Sequence, residues 1–333
     1  MSKRRITEQQ ARRIQQGRER HHGSKESNLS NKKEGLVLAH FGKAVAIWDK
    51  DSNSAVFCHK RQHLGALVVG DEVLWEATTE TEQGVVTQIL PRRTCLEKHD
   101  ARGNPVPMAA NIDQLVIVVS PQPAPQQTTL DRYLVLAEYT GIAPVLVFNK
   151  TDLIENNALA EEAKLAFETI LSVYEALPYA HFRVSTQIED SLSGLKSALQ
   201  GKISLVVGQS GVGKSSLIRQ LVQDDAIVVG DLSREGLLGK HTTTVSRWYF
   251  LDEGGGIVDS PGIRELKLPP LSRHQLLSCF VECRPYMGTC RFRNCTHTAD
   301  TPACGLWQAA EQGMISRYRL SSFGEIALEI IKK

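Results

Sequence analysis

The chain has 333 residues, which at about 100–200 residues per domain predicts two or three domains. Apolar residues make up 41% and charged residues 23%, a soluble globular balance, and no apolar run approaches the ~18 residues of a membrane-spanning helix. The net charge of +2 conceals an asymmetry, because residues 1–33 hold ten Lys/Arg against three Glu and the rest of the chain is acidic. Residues 1–34 lack the apolar core of a secretory signal and are too polar to bury a core of their own. They predict a disordered basic tail, either a solvated extension or an arm that seeks nucleic-acid phosphates.

From Gly35 to about Lys98 the texture is that of short β-runs: Leu36–Phe41, Lys43–Trp48, Ala55–Lys60, Glu72–Glu76 and Val85–Leu90, with turn signals between them. Five strands without a long helix predict a small closed barrel over 35–105, an OB-fold first and an SH3-like barrel second. Phe41, Trp48, Phe57 and Trp75 are its only aromatic candidates for base stacking, and alternation assigns some of them to the core. RNA binding is not inferred from this segment alone.

Over 106–270 the pattern becomes α/β. Buried strands are predicted at Leu115–Ser120, Ala143–Phe148, Phe182–Val184 and Ile203–Val207, and helices at Thr129–Tyr139, Ala158–Tyr174, Leu192–Leu199 and Ser216–Val222. Such alternation predicts a mostly parallel sheet. The last segment, 271–333, is rich in Cys, Arg and Pro and ends in a helical tail.

Residues 208–215 read Gly-Gln-Ser-Gly-Val-Gly-Lys-Ser, a complete Walker A motif between a strand and a helix. The glycines Gly208, Gly211 and Gly213 admit backbone angles and close approach that side chains would block. The N–H groups of the loop, which also contains Gln209, Ser210, Val212 and Ser216, then cradle phosphates. Lys214 reaches the β/γ-phosphates and stabilises transition-state charge, and the Ser215 hydroxyl ligates magnesium. Asn149-Lys-Thr-Asp152 follows a predicted strand. The Asp152 carboxylate accepts from the N1–H and amine of guanine, a donor pair that adenine lacks, while Asn149 and Lys150 support base and loop. Ser185-Thr186 stands where a base-contacting loop is expected.

Asp259-Ser-Pro-Gly262 follows the strand-like Gly256–Val258; Asp259 would hold magnesium through water and the Gly262 N–H would meet the γ-phosphate. Between this motif and the Walker loop lies Gly239-Lys-His-Thr-Thr-Thr244. One of its threonines, Thr243 before Thr242, would complete the magnesium shell and sense the γ-phosphate. Many GTPases carry Gln directly after DxxG, but Ile263 stands here, so His241 is the candidate for orienting the attacking water. The order is permuted: NKxD precedes the Walker loop, so the cycle is intact but the chain is cut elsewhere, as a fold with neighbouring termini tolerates.

Cys290-x4-Cys295-x-His297-x6-Cys304 offers three thiols and an imidazole, a closed set suited to one structural zinc. Cys283 is an alternative ligand, Cys58, Cys95 and Cys279 read as core, and Arg284, Arg291 and Arg293 offer a nucleic-acid surface or a solvated face. An odd total of seven cysteines without an export signal points to the reducing cytosol.

In this order, the tail, barrel, permuted GTPase motifs and Cys3His module resemble the RsgA (YjeQ) family, over essentially Gly35–Lys333. The resemblance implies a multidomain α/β protein: an OB-fold barrel, a circularly permuted P-loop GTPase domain and a zinc-binding helical module. It implies hydrolysis of GTP to GDP with Mg²⁺, binding to the small (30S) ribosomal subunit and its rRNA, stimulation by that subunit and a role late in its maturation. A cytoplasmic monomer away from membranes is expected. The six residues between His297 and Cys304 are one more than the family pattern. Two other readings compete: a metabolic P-loop kinase, opposed by the NKxD and DxxG motifs, and an RNA-binding module with a degenerate nucleotide site, opposed by the intact Lys214, Ser215 and Asp259.

Overall fold

The computed structural model describes residues 32–41, 44–78, 83–100, 103–156, 158–222, 247–252, 254–259 and 268–331. The basic segment up to residue 31, His241, the three threonines 242–244, Gly262 and Ile263 lie outside these residues.

Five strands close an OB-type barrel in the order β1-β2-β3-β5-β4: β1 (Lys32–Phe41), β2 (Ala44–Asp49), β3 (Ser54–Lys60), β4 (Glu72–Ala77) and β5 (Gly84–Ile89). Closure leaves no sheet edge, which is how so short a β-segment avoids unpaired backbone. Val37, Val45, Ile47, Val73, Trp75 and Val86 fill its interior. Lys32 and Lys33, assigned by charge to the tail, belong to β1. The reason is Asp49, buried at the end of β2, which Lys33 pairs at 3.0 Å.

Trp48 and Trp75 are not stacking platforms. Trp75 is core, and Trp48 packs on Phe250 at a centroid distance of 4.4 Å. Phe57 is half-buried, and the Phe41 side chain lies outside the described residues.

A hairpin not foreseen from the sequence, β6 (Cys95–His99) with β7 (Pro105–Ala110), crosses the expected boundary at residue 105. It and its flanks clamp the barrel: Arg92 grips the buried Asp71 at 2.7 and 2.9 Å, and Asn111 donates to the Gly70 carbonyl at 2.9 Å. Leu38, Ala46, Val69, Leu96 and Ala109 thereby join the apolar core of the following domain.

That domain holds a six-stranded sheet in the order β10-β9-β8-β11-β13-β12, formed by β8 (Gln114–Val119), β9 (Ala143–Phe148), β10 (Ala180–Arg183), β11 (Ile203–Val207), β12 (Arg247–Phe250) and β13 (Gly256–Asp259). All neighbours are parallel except β12 with β13. The helices are α1 (Gln127–Thr140), α2 (Asp152–Glu155), α3 (Glu161–Glu175), α4 (Ser193–Leu199) and α5 (Lys214–Leu221). Strands β8 and β9 are buried on both faces, and separate apolar clusters cover the two sides of the sheet. Parallel pairing brings the C-terminal ends of β8, β9, β10, β11 and β13 to one edge, where open α/β sheets bind ligands.

The C-terminal module contains α6 (Arg273–Ser278), a 3₁₀ turn at Val281–Tyr286, α7 (Gly305–Glu311) and α8 (Arg317–Ile331) around Phe280, Leu306, Leu320 and Phe323. Helix α8 packs on α1. Between them Arg319, fully buried, pairs with Asp131 of α1 and with Glu282 of the 3₁₀ turn, the latter at 2.6 and 3.2 Å. Tyr174 of α3 donates to the same Asp131 oxygen at 2.6 Å, and the guanidinium lies 4.4 Å from the Phe280 centroid. Burial opposes the charge on Arg319, but Asp131 and Glu282 outweigh it and raise its pKa well above the ordinary value.

Candidate nucleotide site and metal centre

The Walker loop leaves β11 at Gly208 and enters α5 at Lys214. Its glycines are dictated by geometry. A Cβ on Gly208 would stand 2.3 Å from the Val118 carbonyl oxygen, and one on Gly213, at φ +94°, would stand 2.4 Å from Asn149 Nδ2. Lys214 is buried beneath the loop, donating to the carbonyls of Gly208 at 2.7 Å and Gln209 at 2.5 Å. Ser210, Ser215 and Ser216 are exposed along the mouth and Val212 is buried beneath it. The first N–H groups of α5 and its dipole favour an anion at this edge.

The NKxD segment is tied to the same loop. Asn149 Nδ2 donates to the Val212 carbonyl at 2.9 Å. Lys150, at φ +62°, sends Nζ to the Gly211 and Gln122 carbonyls, both at 2.7 Å. Asp152 opens α2, where Ser185 Oγ donates to Oδ1 at 2.5 Å. Ser185 is buried and locked in turn: its N–H donates to Ser191 Oγ at 3.0 Å, and its hydroxyl accepts from the Gln187 N–H at 3.0 Å. Thr186 is half-buried, and its carbonyl accepts from Gln220 of α5 at 2.8 Å. Asn149, Lys150, Asp152, Ser185, Thr186 and the Walker loop therefore form one connected constellation. Asp259 ends β13, beside β11 through a Val206 register pair, on the same edge of the sheet.

Gln122, Ser191 and Gln220 join this constellation without having been singled out from the sequence. Gln122 acts through a backbone carbonyl, which every residue type possesses. Ser191 and Gln220 lack a motif spacing of their own.

In the C-terminal module the ligand atoms of Cys290, Cys295, His297 and Cys304 lie within 4.8 Å of one another. Cys290 and Cys304 sulfurs are 3.8 Å apart, and His297 Nδ1 is 3.5 and 3.6 Å from them. Zinc–sulfur bonds of about 2.3 Å in a tetrahedron require S···S edges of about 3.8 Å, and a nitrogen ligand shortens the edge by about 0.2 Å. The edges among Cys290, Cys304 and His297 have these lengths, and the Cys290 and Cys304 sulfurs are too far apart for a disulfide. Burial and the adjacent sulfurs push the Cys295 thiol up to about 12, crowding that a divalent cation would reverse.

Cys283 stands outside the group, in the module's core, so it is not the alternative ligand. Cys58 and Cys279 are buried, whereas Cys95 is only half-buried, beside Arg92. The long interval from His297 to Cys304 closes with left-handed backbone at His297 (φ +56°) and Ala303 (φ +52°). Trp307 Nε1 holds the His297 carbonyl at 3.0 Å. Arg284 pairs with Glu138 of α1 at 2.6 Å, while Arg291 and Arg293 are exposed.

The family model described as RsgA GTPase matches residues 89–269. The small ribosomal subunit biogenesis GTPase RsgA of Chromohalobacter salexigens is 44% identical over 295 residues, 88% of this chain and 84% of that protein. The protein of the same name from Pseudomonas savastanoi pv. phaseolicola is 42% identical over 302 residues, 90% and 86% of the two chains. Among solved structures, YjeQ from Thermotoga maritima superposes with a TM-score of 0.70 at 29% identity, covering 91% of this chain and 99% of that one. YloQ, described as a circularly permuted GTPase, gives 0.68 at 26% identity, covering 93% and 98%. Joined to a permuted arrangement of Walker loop and NKxD on one sheet edge, these likenesses establish that the chain belongs to the RsgA GTPase family.

Proposed function

We propose that this protein hydrolyses GTP in the service of small ribosomal subunit biogenesis, binding the subunit and its rRNA and turning over faster when docked on it. The observation that carries the reading is the tie between the two nucleotide loops: Asn149 and Lys150 bond the Val212 and Gly211 carbonyls, so base and phosphate positions are fixed relative to each other.

In this reading Asp152, steadied by Ser185, selects guanine, with Thr186 beside the base. Asn149 and Lys150 support base and loop. The N–H groups of Gly208–Ser216 surround the phosphates, and Lys214 exchanges its carbonyl partners for the β/γ-phosphates. Ser215, Thr243 and, through water, Asp259 would hold Mg²⁺, which would supply charge neutralisation for the phosphates. The Gly262 N–H meets the γ-phosphate and His241 orients the water; both act from outside the described residues. Cys290, Cys295, His297 and Cys304 hold one structural Zn²⁺ that fixes the fold of residues 271–333. The basic segment before β1 acts as an arm, the strands from Lys32 with their clamping hairpin as the barrel unit, the sheet domain that follows as the GTPase unit, and residues 271–331 as the zinc module of a cytoplasmic monomer.

The test is turnover of GTP and of ATP, in parallel, with and without purified small subunits. GTP hydrolysis that the subunits accelerate, with ATP inert, is the expected result. Equal use of ATP, or a rate indifferent to subunits, would refute the reading.

A further inference from the structure

We propose that the turn between Cys290 and Cys295 is a binding site for an unpaired RNA base, which stacks on Phe292 while Arg291 and Arg293 engage the adjoining phosphates. The biological partner assumed here rests on the reading of the protein as a ribosomal-subunit GTPase; the chemistry of the turn stands on its own geometry.

Phe292 is 46% exposed, and its neighbours Arg291, Arg293 and Asn294 are exposed with it. Placing a phenyl ring in water costs hydrophobic free energy that burial would recover. The turn is nevertheless held firmly. Cys295 N–H donates to the Phe292 carbonyl at 3.2 Å, and Arg291 N–H donates to the Ala303 carbonyl at 3.3 Å. Cys290 and Cys295, which bracket it, both belong to the ligand cluster. A rigid element thus presents the ring, and little ordering entropy is lost on contact.

Charge indicates what the ring meets. From residue 283 to 299 the chain contains three arginines and no Asp or Glu. Arg284 is committed to Glu138, so Arg291 and Arg293 supply the charge of the turn. The Arg291 guanidinium carbon lies over the Phe292 ring, 5.7 Å from its centroid and within cation–π range, which places a cation beside the ring. Here the ring is flanked by cations, the combination that takes an unstacked base and its phosphates. Duplex RNA keeps its base faces covered and does not offer this contact.

The experiment compares the full chain with Phe292→Leu, Phe292→Tyr, Arg291→Gln and Arg293→Gln. The probes are a mixed-sequence single-stranded oligoribonucleotide, the same sequence as a blunt duplex, and purified small subunits. Phe292→Leu should weaken single-strand binding by roughly 5- to 150-fold, with an unchanged salt slope and duplex affinity. Phe292→Tyr should restore it. Each Arg→Gln change should flatten the salt dependence of single-strand binding by about 0.7. GTP affinity and zinc content serve as folding controls. Wild-type binding to the single strand by Phe292→Leu overturns the proposal, as does absence of binding by the wild type. A loss confined to small subunits, with the oligonucleotide unaffected, also overturns it and makes Phe292 an anchor for a ribosomal protein. If the wild type binds the oligonucleotide through Phe292 but ignores small subunits, the ribosomal reading fails and this site stands.

Discussion

Ser185 holds the carboxylate of Asp152 by a 2.5 Å hydrogen bond that spans 33 residues of sequence. The hydroxyl can donate there because its other role, accepting from Gln187 N–H, leaves its proton available. The bond holds the Asp152 carboxylate in one orientation. Asp152→Asn exchanges an acceptor for a donor facing guanine's own donors. GTP affinity should fall by about 100-fold or more, while XTP, with a carbonyl at C2, should gain. Ser185→Ala should keep the preference for GTP and lose about tenfold in affinity, the worth of one hydrogen bond to a charged group. Titration of both variants with GTP and XTP decides the matter; an Asp152→Asn protein with normal GTP affinity and no gain for XTP would remove Asp152 from base recognition.

Arg319 joins α8, α1 and the 3₁₀ turn through two carboxylates. Its removal strands Asp131, which is fully buried, and Glu282, which is half-buried. Breaking one partner out of such a network costs about 3–5 kcal/mol. Arg319→Ala should therefore lower the denaturant midpoint and free residues 271–331 from α1, read as faster hydrogen exchange in α8. Arg319→Lys should recover little, because an ammonium cannot reproduce the paired Nε and Nη2 contacts to Glu282. A loss below about 1 kcal/mol for Arg319→Ala would mean that the interface rests on its apolar contacts alone.

Much of this architecture was legible because its signals are local. The strand Ile203–Val207 and the loop after it announce themselves by an apolar run and glycines whose Cβ atoms would collide with Val118 and Asn149. The β6–β7 hairpin did not, since Glu97, Lys98 and two prolines read as loop, while its pairing partner lies across Gly103. Lys33 reads as tail until Asp49 is found beside it. Trp48 offers a base platform until Phe250, remote in sequence, covers it. Lys33 and Trp48 are missed because a tertiary contact overrides the local pattern, and the hairpin because its residues carry a weak strand signal.

The metal cluster gives the next prediction. The segment around Cys290–Cys304 is poor in regular structure, so metal binding should supply much of its folding energy. Elemental analysis should find about one zinc per chain. Cys295→Ser should loosen the module and weaken subunit binding, with GTP affinity nearly intact, because the Walker loop is braced by Asn149 and Lys150 rather than by this module. Since the thiols must be ionised to hold the metal, zinc should be retained at neutral pH and lost as pH falls. Full subunit binding by the metal-free protein would show that the module's fold does not depend on zinc.

The rate is the last prediction. Ile263 follows the Asp259–Gly262 motif and cannot hydrogen-bond a water, whereas many GTPases use Gln there. In the proposed reading Lys214 and the loop N–H groups would still stabilise transition-state charge, but the nucleophile would lack such a guide. Intrinsic turnover should be slow, and docking on the small subunit should raise it. In the proposed reading the His241 imidazole would orient or polarise the attacking water. His241→Ala should remove most of the subunit-stimulated rate, an effect of about 100-fold or more, with GTP binding near normal. Thr243→Ala should instead weaken magnesium-dependent GTP binding, which separates water positioning from metal binding. Stimulation of His241→Ala to the wild-type rate would transfer the water-orienting group to the ribosomal subunit itself.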